Sequence, residues 1–151
     1  MRTRSTPKGR PRSSIAVQRA ARGAPSAARL RAWALAAAPA AVEVTLRVVG
    51  AAEGRSLNRR FRGRDYATNV LTFAYGARPW RGDVVLCHSV IAREARAQGK
   101  PLHAHYAHLV VHGMLHLRGL DHAAKRAAER MERAEIRILS RLGFRNPYAV
   151  E

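Results

Sequence analysis

The stretch HGMLHLRGLDH, His112 to His122, sets three histidines at i, i+4 and i+10, with a glycine at i+7. On a helix, residues four apart share a face about 6 Å apart along the axis, so His112 and His116 can offer imidazoles to one ion. Gly119 can leave the helix through a left-handed conformation and bring His122 back beside the same face. An HxxxH pair alone is a weak signal, and the glycine-turned third histidine makes it specific. The expectation is one zinc ion per chain, held by His112, His116 and His122. Three protein ligands leave an open position, which is the catalytic and not the structural arrangement.

In metalloproteases with an HExxH helix, the residue after the first histidine is a glutamate that acts as general base. Gly113 stands there in this chain. His108 shares the face at i−4 from His112 but lies about 12 Å from His116, too far to join the same ion. It reads as a neighbour of the ligands or a substrate contact. A second segment, Arg59-Arg60-Phe61-Arg62-Gly63-Arg64-Asp65, interleaves guanidinium groups with an aromatic, a mixture suited to phosphate forks and base stacking. Arg59, Arg60 and Arg64 are therefore candidate contacts to a nucleic acid, although such charge runs are commonly solvated helix ends.

These residues need elements to hold them. Residues 15–17 read as a short strand, and 26–38 as a helix stopped by Pro39. The alternation in residues 42–48 gives a half-buried strand closed by Gly50. A helix over 51–61 follows, then strands at 69–75 and 83–87 that can pair as a hairpin. Residues 89–98 form a helix stopped by Gly99, and Pro101 starts the helix that carries the histidines. In the last helix, 123–142, Met131, Ala134, Ile138 and Leu142 share one face. No internal repeat is present.

A chain of 151 residues with 47% hydrophobic content suits one domain, here 13–151, preceded by a flexible basic arm over residues 1–12. Lys and Arg number 28 against 10 Asp and Glu, and no acidic residue precedes Glu43, so the natural partner is a polyanion. The single cysteine, Cys87, excludes an internal disulfide and reads as a buried strand residue. No apolar run is long enough for a transmembrane helix, so no membrane partner is expected. The acid-free, Arg/Ser-rich start leaves organelle targeting open beside a bacterial cytoplasmic location.

HGMLHLRGLDH, preceded by HAHYAHLVV, resembles the signature of the YbeY endoribonucleases. LNRRFRGRDYATNVLTF, GDVVLC and RLGFRNPY resemble that family's other blocks, in order, so the likeness covers residues 57–148 most clearly. Ala67, Thr72, Arg118 and Leu120 depart from the residues common at those places, and none is a ligand. The resemblance implies an α+β fold in which a small mixed sheet of about four strands packs on several helices. It implies a zinc-dependent, single-strand-specific endoribonuclease acting on ribosomal RNA, in small-subunit 3′ end maturation and ribosome quality control. Its partners would be single-stranded RNA, ribosomal RNA and ribosome or ribosome-assembly proteins. It makes His112, His116 and His122 the zinc ligands and places Arg62 on the arginine required for activity.

A phosphodiester would be repelled by a carboxylate beside the metal, whereas zinc and Arg62 can neutralise its oxygens, so Gly113 reads as a missing charge that also leaves room for substrate. Attack by zinc-bound water and activation of the RNA 2′-hydroxyl both stay open. His108 and Asp121 are candidate bases, and Asp121 could instead orient His122 or cap the next helix. Two rival readings are a zinc peptidase of metzincin-like spacing and a non-catalytic, zinc-containing ribosome-assembly factor.

Overall fold

The alternating run VEVTLRVV makes a strand with one dry face: Val42, Val44, Leu46 and Val48 are buried, while Glu43, Thr45 and Arg47 turn the other way. In the computed structural model, which describes residues 13–38, 41–76, 79–119 and 125–149, this strand β2 (Val42–Val49) is interior. It pairs in parallel with β1 (Ser14–Arg19) and with β4 (Trp80–Cys87), and β4 pairs antiparallel with β3 (Val70–Gly76). The order β1-β2-β4-β3 makes a four-stranded mixed sheet with β3 at one end. The expected hairpin is present. Its second strand starts at Trp80 and not at residue 83, because Trp80 and Arg81 extend the parallel ladder opposite Val42 and Glu43.

Five helices complete the described fold: α1 (Ala27–Ala36), α2 (Ala51–Arg62), α3 (His88–Gln98), α4 (Leu102–Leu117) and α5 (Lys125–Arg141). The α+β expectation is met. The main core joins one face of the sheet to α1, α4 and α5, and a smaller cluster of Val49, Leu71, Val85, Cys87 and Val90 joins the other face to α2. Cys87 is buried, as expected of a strand residue.

Helix α4 lies at the centre of the main core. Tyr106, Val110, Val111, Met114 and Leu115 are fully buried, each worth at most roughly 1.5–3 kcal/mol in transfer free energy. A helix this apolar is fixed in position by packing, and its histidines form a polar stripe on an otherwise dry element. No helix among the described residues is long and apolar enough to cross a membrane. The basic arm expected over residues 1–12, and also Asp121 and His122, lie outside the described residues.

Candidate metal centre and nucleic-acid interface

Four histidines follow one another along α4 at helical spacing: His105, His108, His112 and His116. Exposure rises along the row, with His105 buried, His108 and His112 intermediate and His116 exposed. The rings of His112 and His116 lie nearly parallel, 16° apart in orientation with centroids separated by 6.4 Å. The helix ends just beyond them, and Gly119 adopts φ +91°, the left-handed turn expected from its position. His122 is beyond that turn, outside the described residues. Among the described residues, no three metal-ligating side chains converge on one point; His112 and His116 are the described members of the expected set.

His112 is held by a residue that sequence reasoning missed. Its Nδ1 lies 2.5 Å from Oε2 of Glu135, a carboxylate from α5 with no solvent exposure. Glu135 Oε1 lies 3.2 Å from His108 Nε2 and accepts from the hydroxyl of Tyr148. Burial acts to push the Glu135 carboxyl up, but the hydrogen bonds from His108, His112 and Tyr148 outweigh it and hold its pKa at about 2. Burial and the adjacent carboxylate push the Tyr148 phenol up. The Glu135 carboxylate thus fixes His112 with its proton on Nδ1 and its lone pair on Nε2, the tautomer that can ligate a metal.

The signal for Glu135 was readable. It stands four residues after Met131 and three before Ile138, on the apolar face of α5, where a charge must have partners. Tyr148, at the end of RLGFRNPY, carries no such signal in the sequence.

His108 spends Nε2 on Glu135 and Tyr148, 3.2 Å from each. Its ring stands 6.4 Å from that of His112, and its other nitrogen, Nδ1, is buried with no hydrogen-bond partner among the described residues. His105 pairs with Glu94 at 2.9 Å, and Glu94 also accepts from Asn69 Nδ2 at 3.1 Å. Burial lowers the His105 pKa despite that carboxylate. His103 packs edge-on against Trp33, ring centroids 6.0 Å apart. Both are accounted for by the core.

Gly113 overturns part of the sequence argument. A Cβ on it would lie 2.7 Å from Val84 Cγ1 and 3.5 Å from Thr72 Oγ1. The glycine faces the sheet, where it permits close approach of α4, and it leaves no open room for substrate. Its small size is a packing requirement, and neither a missing charge nor vacant space for substrate accounts for it.

Arg62 is the last residue of α2 and exposed. Its Nη2 donates to the Thr72 carbonyl on β3 at 2.8 Å, and its guanidinium stands 4.9 Å from the centre of the Phe73 ring. Thr72 therefore meets Arg62 through its carbonyl and faces the α4 backbone beside His112 through its side chain. Arg62 also lines a groove of about 500 Å³ with Phe61, Phe73 and Tyr75. Phe61 and Tyr75 are exposed there, and Arg60 sits 5.8 Å from the Phe61 ring centre. Arg64 donates to the Tyr66 hydroxyl at 3.2 Å, and Arg59 is exposed on α2. The sequence-predicted arginines thus share one exposed end of α2.

The family model described as Endoribonuclease YbeY matches residues 15–143. Among similar proteins, Endoribonuclease YbeY of Aromatoleum aromaticum is 60% identical over 126 residues, covering 83% of this chain and 82% of that protein. Its counterpart in Paraburkholderia phymatum is 55% identical over 124 residues, covering 80% and 81%. That of Methylobacillus flagellatus is 48% identical over 144 residues, covering 93% and 97%. The solution structure of TM1509 from Thermotoga maritima superposes with a TM-score of 0.60 at 23% identity, covering 90% of this chain and 99% of that one, and supports the fold.

Proposed function

This chain belongs to the YbeY endoribonuclease family, a family of metal-dependent nucleases acting in ribosomal RNA maturation, and from that premise we propose that it cuts single-stranded RNA at a zinc ion held by His112, His116 and His122. The observation that carries the metal assignment is the Glu135 carboxylate on His112 Nδ1 at 2.5 Å. A ligating histidine characteristically donates its second ring N–H to a carboxylate. Imidazole nitrogens suit zinc, so the donor chemistry fits the ion. When bound, the ion supplies Lewis acidity at the scissile phosphodiester.

The chain's own groups do the rest. Glu135 holds the His112 ring in one tautomer and orientation. Arg62 offers a fork of N–H donors to phosphoryl oxygens, and the Thr72 carbonyl and Phe73 ring limit where that fork can point. Phe61 and Tyr75 give flat, exposed surfaces on which unpaired bases can stack, and Arg59, Arg60 and Arg64 add charge along the strand's path. Stacking requires an unpaired strand, which favours single-strand specificity. Asp121 remains the candidate to orient His122 or to accept a proton. The small-subunit 3′ end and defective ribosomes are the proposed settings of the cut, in a bacterial cytoplasm.

The peptidase alternative loses ground to Gly113, because the Val84 side chain occupies the space a glutamate would need. Cleavage of a short single-stranded RNA and of a peptide library, with and without chelator, tests the proposal. RNA cleavage lost on chelation and in both His116→Ala and Arg62→Ala supports it. Intact RNA beside a peptidase activity abolished by His116→Ala would refute it, and RNA binding without any cleavage would favour an assembly factor.

A further inference from the structure

Helix α5 carries five arginines whose spacing has no part in the site just described: Arg126, Arg130, Arg133, Arg137 and Arg141. At about 100° per residue they fall within an arc of about 80°, and at 1.5 Å per residue they span about 22 Å. All five are exposed. None of them forms an ion pair among the described residues. Glu129 and Glu132 lie on the same helix but about 80° and 140° around from the centre of the stripe. Glu135, which touches His112, points to the opposite side. The stripe is therefore a second surface, on the outer side of the helix that braces the metal centre.

Such an arrangement works against the helix. Arg126/Arg130, Arg130/Arg133, Arg133/Arg137 and Arg137/Arg141 are like-charge neighbours at i,i+3 or i,i+4, and each pair opposes helix formation. A polyanion laid along the stripe would remove that repulsion. We propose that the outer face of α5 docks the phosphate backbone of a double-helical RNA segment.

The chemistry of the face selects this occupant. A membrane surface would need apolar side chains beside the arginines; Met131, Ile138 and Leu139 of α5 are buried in the core, and the half-buried Ile136 lies about 100° around from the centre of the stripe. An acidic protein partner would need an aromatic or apolar centre to the interface, and the stripe offers none. Unpaired RNA is gripped by stacking on aromatic rings, and α5 has no aromatic residue. What remains is a straight, rigid row of guanidinium groups, which suits the phosphates of a rigid duplex without reading sequence. The inference rests on the RNA-acting function proposed above and adds to it a docking site for structured RNA near the strand to be cut.

The test compares the zinc-loaded full chain with an Arg130→Gln/Arg133→Gln/Arg137→Gln variant and a matching triple Lys variant. Binding to a blunt RNA hairpin with a stem of roughly 16 base pairs is followed by anisotropy across a salt series. Each lost phosphate contact should lower the slope of log affinity against log salt by about 0.9, so the Gln variant should lose up to about 2.7. Its hairpin affinity should fall roughly ten- to hundredfold at about 0.1 M salt, and the Lys variant should keep most of both. Equal melting temperatures show that the variants are folded. An unchanged slope and affinity in the Gln variant would overturn the proposal. So would a loss confined to polyglutamate or to phosphatidylserine vesicles, which would assign the stripe to a protein or a membrane. Hairpin binding is read without cleavage, so a wild-type chain inactive on short RNA would defeat the proposed function and leave this result standing.

Discussion

Replacing Glu135 by glutamine keeps the shape of the side chain and removes its charge. The carboxylate accepts from three groups: His112 Nδ1, His108 Nε2 and the Tyr148 hydroxyl. An amide has one accepting oxygen and one donating nitrogen, so at least one of those donors must face an NH2 group. An unpaired buried donor costs roughly 1–3 kcal/mol, and that is the expected loss of stability. Because His112 is no longer held in the tautomer with its lone pair on Nε2, zinc affinity should fall roughly 10- to 100-fold. A chelator-competition titration gives the affinity, and thermal melts of zinc-free protein give the stability. Tyr148→Phe removes one donor and keeps the carboxylate on His112, so it should cost stability while changing zinc affinity far less. A Glu135→Gln chain that folds and binds zinc as tightly as the parent would refute the reasoning that Glu135 positions a ligand.

Arg62→Ala should lower single-turnover RNA cleavage roughly 10²- to 10³-fold and change stability by no more than about 0.5 kcal/mol, since the side chain is exposed; equal activity would remove it from the mechanism. Gly113→Ala drives a Cβ to 2.7 Å from Val84 Cγ1, an overpacking cost of about 1–3 kcal/mol against a helix-propensity gain of at most about 1 kcal/mol. Denaturant melts should show a net loss that Val84→Ala in the same chain relieves, and additive effects of the two changes would contradict the contact. Burial holds His88 and His105 below the ordinary imidazole range. Between about pH 6.5 and their folded pKa values the unfolded chain binds more protons, so stability is lost as pH falls through that window. Urea midpoints at pH 7.5 and 5.5 should differ in that direction, and a His88→Gln chain should show a smaller difference; a midpoint independent of pH would contradict the assignment.

Local pattern carried the elements well. Alternation marked β2, and glycine and proline marked the ends of α3 and the start of α4, because those signals act over a few residues. The His112 and His116 pair was legible for the same reason, being one helical turn apart. What escaped was set by tertiary contact. Glu135 reaches His112 across 23 positions of chain, and only its place on the apolar face of α5 hinted at a buried partner. The spacing of Gly113 invites comparison with a catalytic residue, while its actual neighbour, Val84, comes from strand β4, far away in the chain. The Thr72 carbonyl that holds Arg62 is a backbone group, which no side-chain pattern could single out. Side-chain chemistry could be read along one element, and the bridges between elements needed the fold.

The most direct test of a single catalytic zinc site is titration of zinc into metal-free protein, with single-stranded RNA cleavage measured at each addition. Cleavage should be absent at the start, rise in proportion to zinc and stop rising at one equivalent, and it should stay absent throughout in His116→Ala. Cleavage by the metal-free protein, a break at two equivalents, or an active His116→Ala chain would contradict the account.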